Sequence, residues 1–202
     1  MDNKIVLLGA SGHCKVIIDA ICSRGLYKIA GVVDLNCNYK SKILGIPVIG
    51  NDDILPKIFD SGIKNAFVAI GSMGDCNLRK KLYKKIKKIG FRLPVISHAK
   101  SIIAKDVQIG EGTFIAAGVV INVGTEVGRN SIINTSASID HDCRIGDFVH
   151  IAPGVTLCGG VEVGNETHIG VGASVIQRIK IGKRCFVKAG SLVKSNQPDN
   201  SK

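Results

Sequence analysis

Aliphatic residues recur at every sixth position through the second half of the chain. The series runs without interruption through Ile103, Ile109, Ile115, Ile121, Val127, Ile133, Ile139, Ile145, Ile151, Leu157, Val163, Ile169, Val175, Ile181, Val187 and Val193. A six-residue period matches neither the 3.6-residue period of an α-helix nor the two-residue alternation of a strand. It predicts a parallel β-helix, in which each unit contributes a short strand and a turn, and successive coils lie about 4.8 Å apart.

Two further registers support this interpretation. The residue four positions after each aliphatic is small or apolar, as at Ala137, Cys143 and Val149. Glycine follows the aliphatic residue at intervals of eighteen positions, at Gly110, Gly128, Gly146, Gly164 and Gly182. Because eighteen residues are three units, the pattern predicts a triangular coil with three faces. The glycines mark a corner that needs either an unusual φ angle or close backbone approach.

The first ninety residues alternate between strand and helix patterns. Strands are expected at 4–9, 29–34, 65–71 and 91–96, and helices at 14–24, 51–59 and 77–89. Such alternation predicts a parallel α/β sheet. The resulting organisation is an α/β domain over 1–93, a connector over 94–102, a β-helix over 103–194 and a short polar tail over 195–202.

The turn after the first strand is a candidate phosphate site. The spacing Gly9-x-x-Gly12 opens a helix, whose backbone N–H groups and dipole favour an anion, although it falls short of the full dinucleotide fingerprint. Asp34 ends the second strand, and two interpretations stay open: a contact to ribose or uracil, or an ordinary turn acid. In the basic run over 79–88, Arg79 is the candidate for phosphate contact, and the lysines are expected on a solvated helix face.

Three histidines of the repeat lie outside the inward registers. His150 and His168 are eighteen residues apart, so they should stack one coil above the other. His141 precedes His150 by nine residues, half a coil, which places it on a different side of the prism. A site that uses both must therefore lie between adjacent prisms, as in a closed three-fold ring.

His141 and the adjacent Asp142 are the best candidates for general-base chemistry. An imidazole titrates near pH 6.5 and accepts a proton at neutral pH, and a carboxylate partner fixes its tautomer. The unusually polar run over 134–142 favours this function over an ordinary surface histidine. A zinc site would need a closely spaced histidine pair, which spacings of nine and eighteen do not resemble, so no metal is expected.

Composition limits the remaining classes of function. The net charge of +11 suits anionic ligands such as nucleotides or CoA, or reflects a solvated surface. With only six Phe and three Tyr and no basic–aromatic interleaving, nucleic acid is not an expected partner. Seven scattered cysteines predict free thiols in a reducing cytoplasm. The absence of a long apolar run predicts no membrane span.

The residues Gly9-Ala10-Ser11-Gly12-His13 and the stretch over 134–150 resemble the bacterial hexapeptide-repeat sugar acetyltransferases. That group includes the N-acetyltransferases of UDP-4-amino-sugars in the bacillosamine pathway, those of GDP-perosamine, and the sialic-acid O-acetyltransferases. The resemblance implies an N-terminal nucleotide-sugar-binding domain, a left-handed β-helix, and a homotrimer with active sites between subunits.

The resemblance also implies residue roles. His141 would be the base, oriented by Asp142. Acetyl-CoA, the co-substrate, would lie against His150, Gly159, Val171 and Ala189. The nucleotide-sugar would be held by Gly9, Ser11, Gly12, His13, Asp34, Gly71 and Arg79, with Asn134 lining the acceptor pocket. The expected reaction is acetylation of the 4-amino group of a UDP-linked amino-dideoxy sugar. The alternatives are O-acetylation of a sialic-acid-like sugar and a non-catalytic nucleotide-sugar-binding scaffold.

Overall fold

The computed structural model describes residues 3–35 and 41–202. The first part of the chain forms a five-stranded sheet in the order β3-β4-β2-β1-β5, with helices packed on it. Its elements are β1 (Lys4–Leu8), α1 (Gly12–Arg24), β2 (Lys28–Val33), β3 (Lys42–Ile43), β4 (Ile46–Gly50), a 3₁₀ turn (Asp52–Ile54), α2 (Leu55–Asp60), β5 (Asn65–Val68) and α3 (Asn77–Ile89). All pairings in this sheet are parallel except that of β3 with β4.

The structure confirms most of the predicted elements and corrects two points. The predicted strand over 91–96 is wrong: Arg92 makes only an isolated bridge to Asn65, while Ile96–Ser97 pairs with a strand of the β-helix. Pro94 lies between them and has no N–H to donate to a ladder. The β3–β4 hairpin was not predicted. Its turn uses Leu44 and Gly45 at positive φ, and Leu-Gly is a weak turn signal beside Asn-Gly.

From Ile96 onward the chain forms two-residue strands in a left-handed parallel β-helix with three sheets. Each strand pairs in parallel with the strand eighteen residues later, as Ile121 pairs with Ile139 and Ile139 with Leu157. The aliphatic series points inward: Ile133 and Ile151 have no exposed surface. The predicted period and triangular coil are thus confirmed.

The three faces differ in their outward side chains. The covered face, which packs against the α/β domain, comprises Ile96–Ser97 (β6), Phe114–Ile115 (β9), Ile132–Ile133 (β12), His150–Ile151 (β15), His168–Ile169 (β18) and Phe186–Val187 (β21). The uncharged face comprises Ile102–Ile103 (β7), Val120–Ile121 (β10), Ser138–Ile139 (β13), Thr156–Leu157 (β16), Ser174–Val175 (β19) and Leu192–Val193 (β22). The charged face comprises Gln108–Ile109 (β8), Glu126–Val127 (β11), Arg144–Ile145 (β14), Glu162–Val163 (β17) and Lys180–Ile181 (β20).

The glycine register lies at the corner between the charged and covered faces. A Cβ on Gly128 would lie 2.5 Å from the backbone carbon of Gly146. These corner glycines are absent from the positive-φ positions, so close backbone approach explains them.

Side-chain contacts join the covered face to the α/β domain. Lys80 on α3 pairs with Glu166 at 2.7 Å. Tyr83 donates to the Glu111 carboxylate at 2.6 Å and packs edge-on against Phe148. These contacts fix α3, and with it the end of β5, against the β-helix.

The segment over 195–202 continues the β-helix by a partial coil. The Gln197 N–H donates to the Lys180 carbonyl, and the Gly182 N–H donates to the Gln197 carbonyl. Near the chain end, the Phe186 N–H donates to the Ser201 carbonyl. Over 3–35 and 41–202, no helix is long and apolar enough to cross a membrane.

Candidate active site

His141 and Asp142 lie at the corner between the uncharged and charged faces, after β13. The His141 Nδ1 and the Asp142 Oδ2 are 2.7 Å apart. Asp142 has a φ of 57°, a left-handed conformation that Asp tolerates better than most residues. The bond to Asp142, with the charge of Asp140, raises the pKa of His141 above its usual 6.5. The corner thus holds an imidazole that is more basic than a free histidine.

The bond to Asp142 leaves the Nε2 edge of His141 for chemistry. With Asp142 ionised, the ring proton belongs on Nδ1, so Nε2 carries the lone pair. The His141 side chain is 56% exposed, and its Cε1–Nε2 edge lies over Gly159, one coil further on. The Gly160 N–H donates to the His141 carbonyl at 2.9 Å, which fixes the two coils in register.

Asn134, His150 and Ser72 form a hydrogen-bonded chain between the domains. The His150 Nδ1 lies 2.6 Å from the Ser72 carbonyl oxygen and must therefore carry the proton that it donates. The Nε2 then accepts from the Asn134 side-chain amide at 3.2 Å. Burial lowers the pKa of His150 to about 3, and the charges of Arg79 and the neighbouring histidines act in the same direction. His150 is thus a neutral ring with both nitrogens engaged in protein contacts.

Most of the predicted nucleotide-sugar residues converge at the carboxyl ends of β1, β2 and β5. Gly9 has a φ of 105°, and a Cβ there would collide with Ile70. Ser11 precedes α1 without a side-chain cap bond, so the first turn of α1, with Gly12 and His13, is open to a ligand. Gly71 lies beside the His13 side chain.

Asp34 takes part in the same turn. Its Oδ2 accepts from the Ala10 N–H at 2.8 Å, which ties the end of β2 to the turn after β1. This contact gives the turn-acid interpretation direct support. It also places a carboxylate beside the open turn at the start of α1.

Arg79 does not join this group at the surface. Its side chain is 2% exposed, and its Nη2 donates to the Asn130 carbonyl at 2.7 Å, inside the seam between the domains. Arg79 thus lies in the seam beside His13 rather than at the surface, and its contact with a phosphate stays a prediction. Lys81 and Lys84 on the same helix are exposed, as expected for a solvated face.

Val171 and Ala189 lie at the other edge of the uncharged face. Both are exposed, and the Gly190 N–H bond to the Val171 carbonyl holds their two coils in register. Asn134 lies at this same corner, which follows the covered face. Of the predicted acetyl-CoA residues, Val171 and Ala189 thus lie at one corner of the prism and Gly159 lies beside His141 at another, while His150 lies on the covered face.

Two contacts were missing from the sequence-based site. His168 stacks on Phe186 at 5.0 Å with an interplanar angle of 7°, in addition to its predicted contact with His150, whose ring meets it edge-on at 4.8 Å. The spacing of eighteen that links 150, 168 and 186 was a usable signal for this stack. The bond from His150 to the carbonyl of Ser72 spans 78 residues and has no sequence signal.

Within the described parts of the chain, no group of three or more His, Cys, Asp or Glu residues is arranged to hold a metal ion. The candidate site consists instead of the His141 corner, the Asn134–His150–Ser72 chain and the open turn at α1. Together these can hold an anionic ligand and remove a proton from another.

Comparison with known proteins identifies the family. Residues 4–86 match the PglD N-terminal domain, and residues 124–159 match the bacterial transferase hexapeptide family of six repeats. The chain is 40% identical to PerB from Caulobacter crescentus, solved in complex with CoA and GDP-perosamine, with a TM-score of 0.91. The match covers 97% of this chain and 91% of that one.

The acetyltransferase domain of PglB from Neisseria gonorrhoeae FA1090, solved with acetyl coenzyme A, is 30% identical with a TM-score of 0.90. That match covers 99% of this chain and 95% of that one. WeeI from Acinetobacter baumannii AYE shares the fold at 24% identity. The chain belongs to the hexapeptide-repeat sugar acetyltransferases that carry a PglD-type N-terminal domain. It is therefore an acyltransferase, as the resemblance implied.

Proposed function

We propose that this protein transfers the acetyl group of acetyl-CoA to the 4-amino group of a nucleotide-linked amino-dideoxy sugar, with His141 as the general base. The observation that carries the proposal is the His141–Asp142 pair, whose Nε2 edge lies over Gly159. Two structures of the Caulobacter crescentus enzyme with a substituted histidine contain both CoA and GDP-perosamine. In that protein, binding of both molecules survives loss of a histidine, as a purely catalytic role would require.

The reaction is a direct transfer in a ternary complex. The sugar amine attacks the thioester carbonyl carbon, and the Nε2 of His141 takes the proton that the nitrogen loses. The tetrahedral oxyanion collapses, the carbon–sulfur bond breaks, and the leaving CoA thiolate takes the proton from the His141 imidazolium. Asp142 stabilises the imidazolium that forms between these steps.

Gly159 offers a donor for the oxyanion. Within the described chain its N–H donates to no protein acceptor, while the neighbouring Cys158 and Gly160 N–H groups are both engaged. A backbone N–H at a fixed position beside the base stabilises developing negative charge without reorganisation. Positioning of two large substrates supplies a further large part of the rate.

The site is completed by a second copy of the chain. The uncharged face is bordered by the His141 corner on one edge and by the corner of Asn134, Val171 and Ala189 on the other. Ile102 and Leu192 on this face are 68% and 55% exposed, which favours burial against another protein surface. Three-fold association through this face brings the His141 corner of one subunit against the Asn134 corner of the next.

Two observations favour different nucleotides. The resemblance of His13 to the UDP-amino-sugar branch favours UDP. The 40% identity to an enzyme solved with GDP-perosamine, against 30% to PglB, favours GDP. The open turn at Gly9 and Gly12, with the Asp34 carboxylate beside it, suits the diphosphate and ribose that both nucleotides share. The six described cysteines are free thiols, which supports the cytoplasm as the compartment.

The test is release of free thiol from acetyl-CoA by the purified protein. The acceptors are GDP-perosamine, a UDP-4-amino-4,6-dideoxy sugar, sialic acid, and a GDP-6-deoxy sugar with a 4-hydroxyl group as the matched control. Release with either amino sugar but not with the control supports the proposal and names the nucleotide. Release with sialic acid alone, or with no acceptor, contradicts it.

A further inference from the structure

The Arg79 guanidinium has unused hydrogen-bonding capacity in the seam between the two domains. Only its Nη2 is engaged, with the Asn130 carbonyl at 2.7 Å. The Nε and Nη1 groups are fully buried and meet no acceptor among the described residues. Buried N–H groups of a charged side chain almost always have a partner, and lack of one costs several kcal/mol.

The charge of this group is uncompensated as well. No carboxylate in the described parts of the chain lies within 4.0 Å of Arg79. The histidines near it are neutral: burial lowers the pKa of His13 to about 4 and that of His150 to about 3, and the charge of Arg79 contributes to both shifts. Burial raises the pKa of the nearby Cys76 thiol, so it brings no negative charge. A guanidinium stays protonated even with its pKa lowered to about 10 by burial.

A small cavity adjoins this guanidinium. Arg79, His13 and Asn130 supply its polar wall, and Phe67, Phe114 and Ile132 are among the apolar side chains around it. Its solvent volume is about 10 Å³, which corresponds to a single water-sized species. His13 belongs both to this cavity and to the candidate nucleotide-sugar site at the first turn of α1, so the two sites adjoin.

We propose that this cavity is a binding site for one small inorganic anion of the chloride type, held by the Nε and Nη1 of Arg79 between the α/β domain and the β-helix. The fork of the guanidinium presents two N–H groups to one acceptor. A water molecule could accept both bonds but would leave the positive charge uncompensated. A monatomic anion provides the acceptor and the charge together.

The site has a thermodynamic consequence for the whole chain. The cavity is lined by the α/β domain on one side and by the β-helix on the other, so it exists only when the two domains are docked. Binding to the folded state alone raises the free energy of unfolding with anion concentration. Chloride should therefore stabilise the protein beyond its general effect on ionic strength.

The experiment compares thermal unfolding of the full-length protein in sodium chloride and in sodium gluconate at matched ionic strength. The gluconate anion is too large for the cavity and serves as the reference. At a chloride concentration about 100-fold above the Kd, Tm should be about 5–10 °C higher than in gluconate. Crystals soaked in sodium bromide should show an anomalous peak beside the Arg79 Nε and Nη1. Equal Tm values together with no bromide peak would overturn the proposal and leave the cavity to water.

Two variants separate this site from other effects of salt. Arg79→Met keeps the length of the side chain and removes the charge, and its Tm should be the same in chloride and gluconate. Lys81→Met removes an exposed charge from the same helix and should keep the full chloride effect. A chloride effect that persists in Arg79→Met would place the anion elsewhere and overturn the proposal. If Arg79→Met does not fold, the bromide peak in the native protein decides.

Discussion

The Cα of Gly159 lies directly against the imidazole of His141. A Cβ at this position would be 2.6 Å from both the Cε1 and the Nε2 of the ring. Glycine at this one coil position therefore lets the ring lie over the next coil while its Nδ1 stays bonded to Asp142. Because residue 159 lies eighteen positions, and therefore one coil, after His141, a glycine at 159 determines how the ring of the proposed base can lie.

Gly159→Ala should reduce kcat by displacing the His141 ring. The new methyl group and the ring cannot occupy the same space, and a misplaced catalytic group costs about 10²-fold in rate. Because the clash is with a partly exposed side chain that can swing away, Tm should change little. The measurement is kcat and Tm of the same preparation.

Gly128→Ala is the matched comparison. There the Cβ would lie 2.5 Å from backbone of the next coil, which cannot move independently. This variant should lose stability, with a kcat per folded molecule that is closer to the native value. Native kcat in Gly159→Ala, or a loss of Tm alone in both variants, would contradict this role of Gly159.

Asp142→Asn should move the acid limb of the kcat/KM profile to lower pH. The bond to Asp142 raises the pKa of His141 above 6.5, and the base works only when unprotonated, so activity is lost as pH falls through that pKa. The amide removes both the charge and the strong acceptor. Asp140 still favours the protonated ring, so the shift should be partial, and kcat should also fall because the tautomer is no longer fixed.

Asp147→Asn serves as the control for this profile. Asp147 is paired with Arg129 at 2.7 Å on another corner of the prism. Its substitution should leave the acid limb in place. An acid limb that is unchanged in Asp142→Asn would show that another group controls the profile.

The buried His150 should make the protein less stable in acid. Its pKa is about 3 in the folded state against about 6.5 unfolded, so the unfolded chain binds more protons between these values. Its contribution is complete above about pH 6.5 and is lost as pH falls towards 3, by at most about 1.4 kcal/mol per pH unit. Urea unfolding at a series of pH values measures this slope. His150→Gln should reduce it, and an equal slope in both proteins would contradict the assignment.

Mixing two inactive variants should restore activity if the site lies between subunits. His141→Ala and Asn134→Ala each damage one of the two corners that border the uncharged face. In mixed trimers that assemble at random from equal amounts, about one quarter of the sites receive both native corners. Co-refolding and a thiol-release assay should therefore recover about one quarter of native activity. If the site lay within one subunit, the mixture would remain as inactive as its components.

The β-helix could be predicted in detail because its signal is repeated. Each rung requires the same kind of inward residue, so the position of Ile151 is fixed by Ile133 and Ile169 as well as by itself. The same period correctly predicted that His150 and His168 lie on adjacent coils of one face, and that His141 lies elsewhere on the prism. The first part of the chain lacks such repetition. There, the strand predicted over 91–96 from its apolar composition does not form, because Pro94 interrupts it.

Contacts between the domains could not be predicted. Arg79 belongs to a run of basic residues whose composition is typical of a solvated helix face. It is nevertheless the one member of that run that is buried in the seam, while Lys80 reaches across the seam to Glu166. Likewise, the bond from His150 to Ser72 uses a backbone carbonyl, which any residue would supply. These features depend on how two finished domains dock, which leaves no local trace in the sequence.

The most direct test of the account is a pair of measurements on His141→Ala. The account predicts that kcat for acetyl transfer falls by about 10²–10⁴-fold, while the Kd values for acetyl-CoA and the nucleotide amino sugar, measured by calorimetry, stay within about two-fold of native. A variant that binds both substrates and turns over at the native rate would show that His141 is not the base.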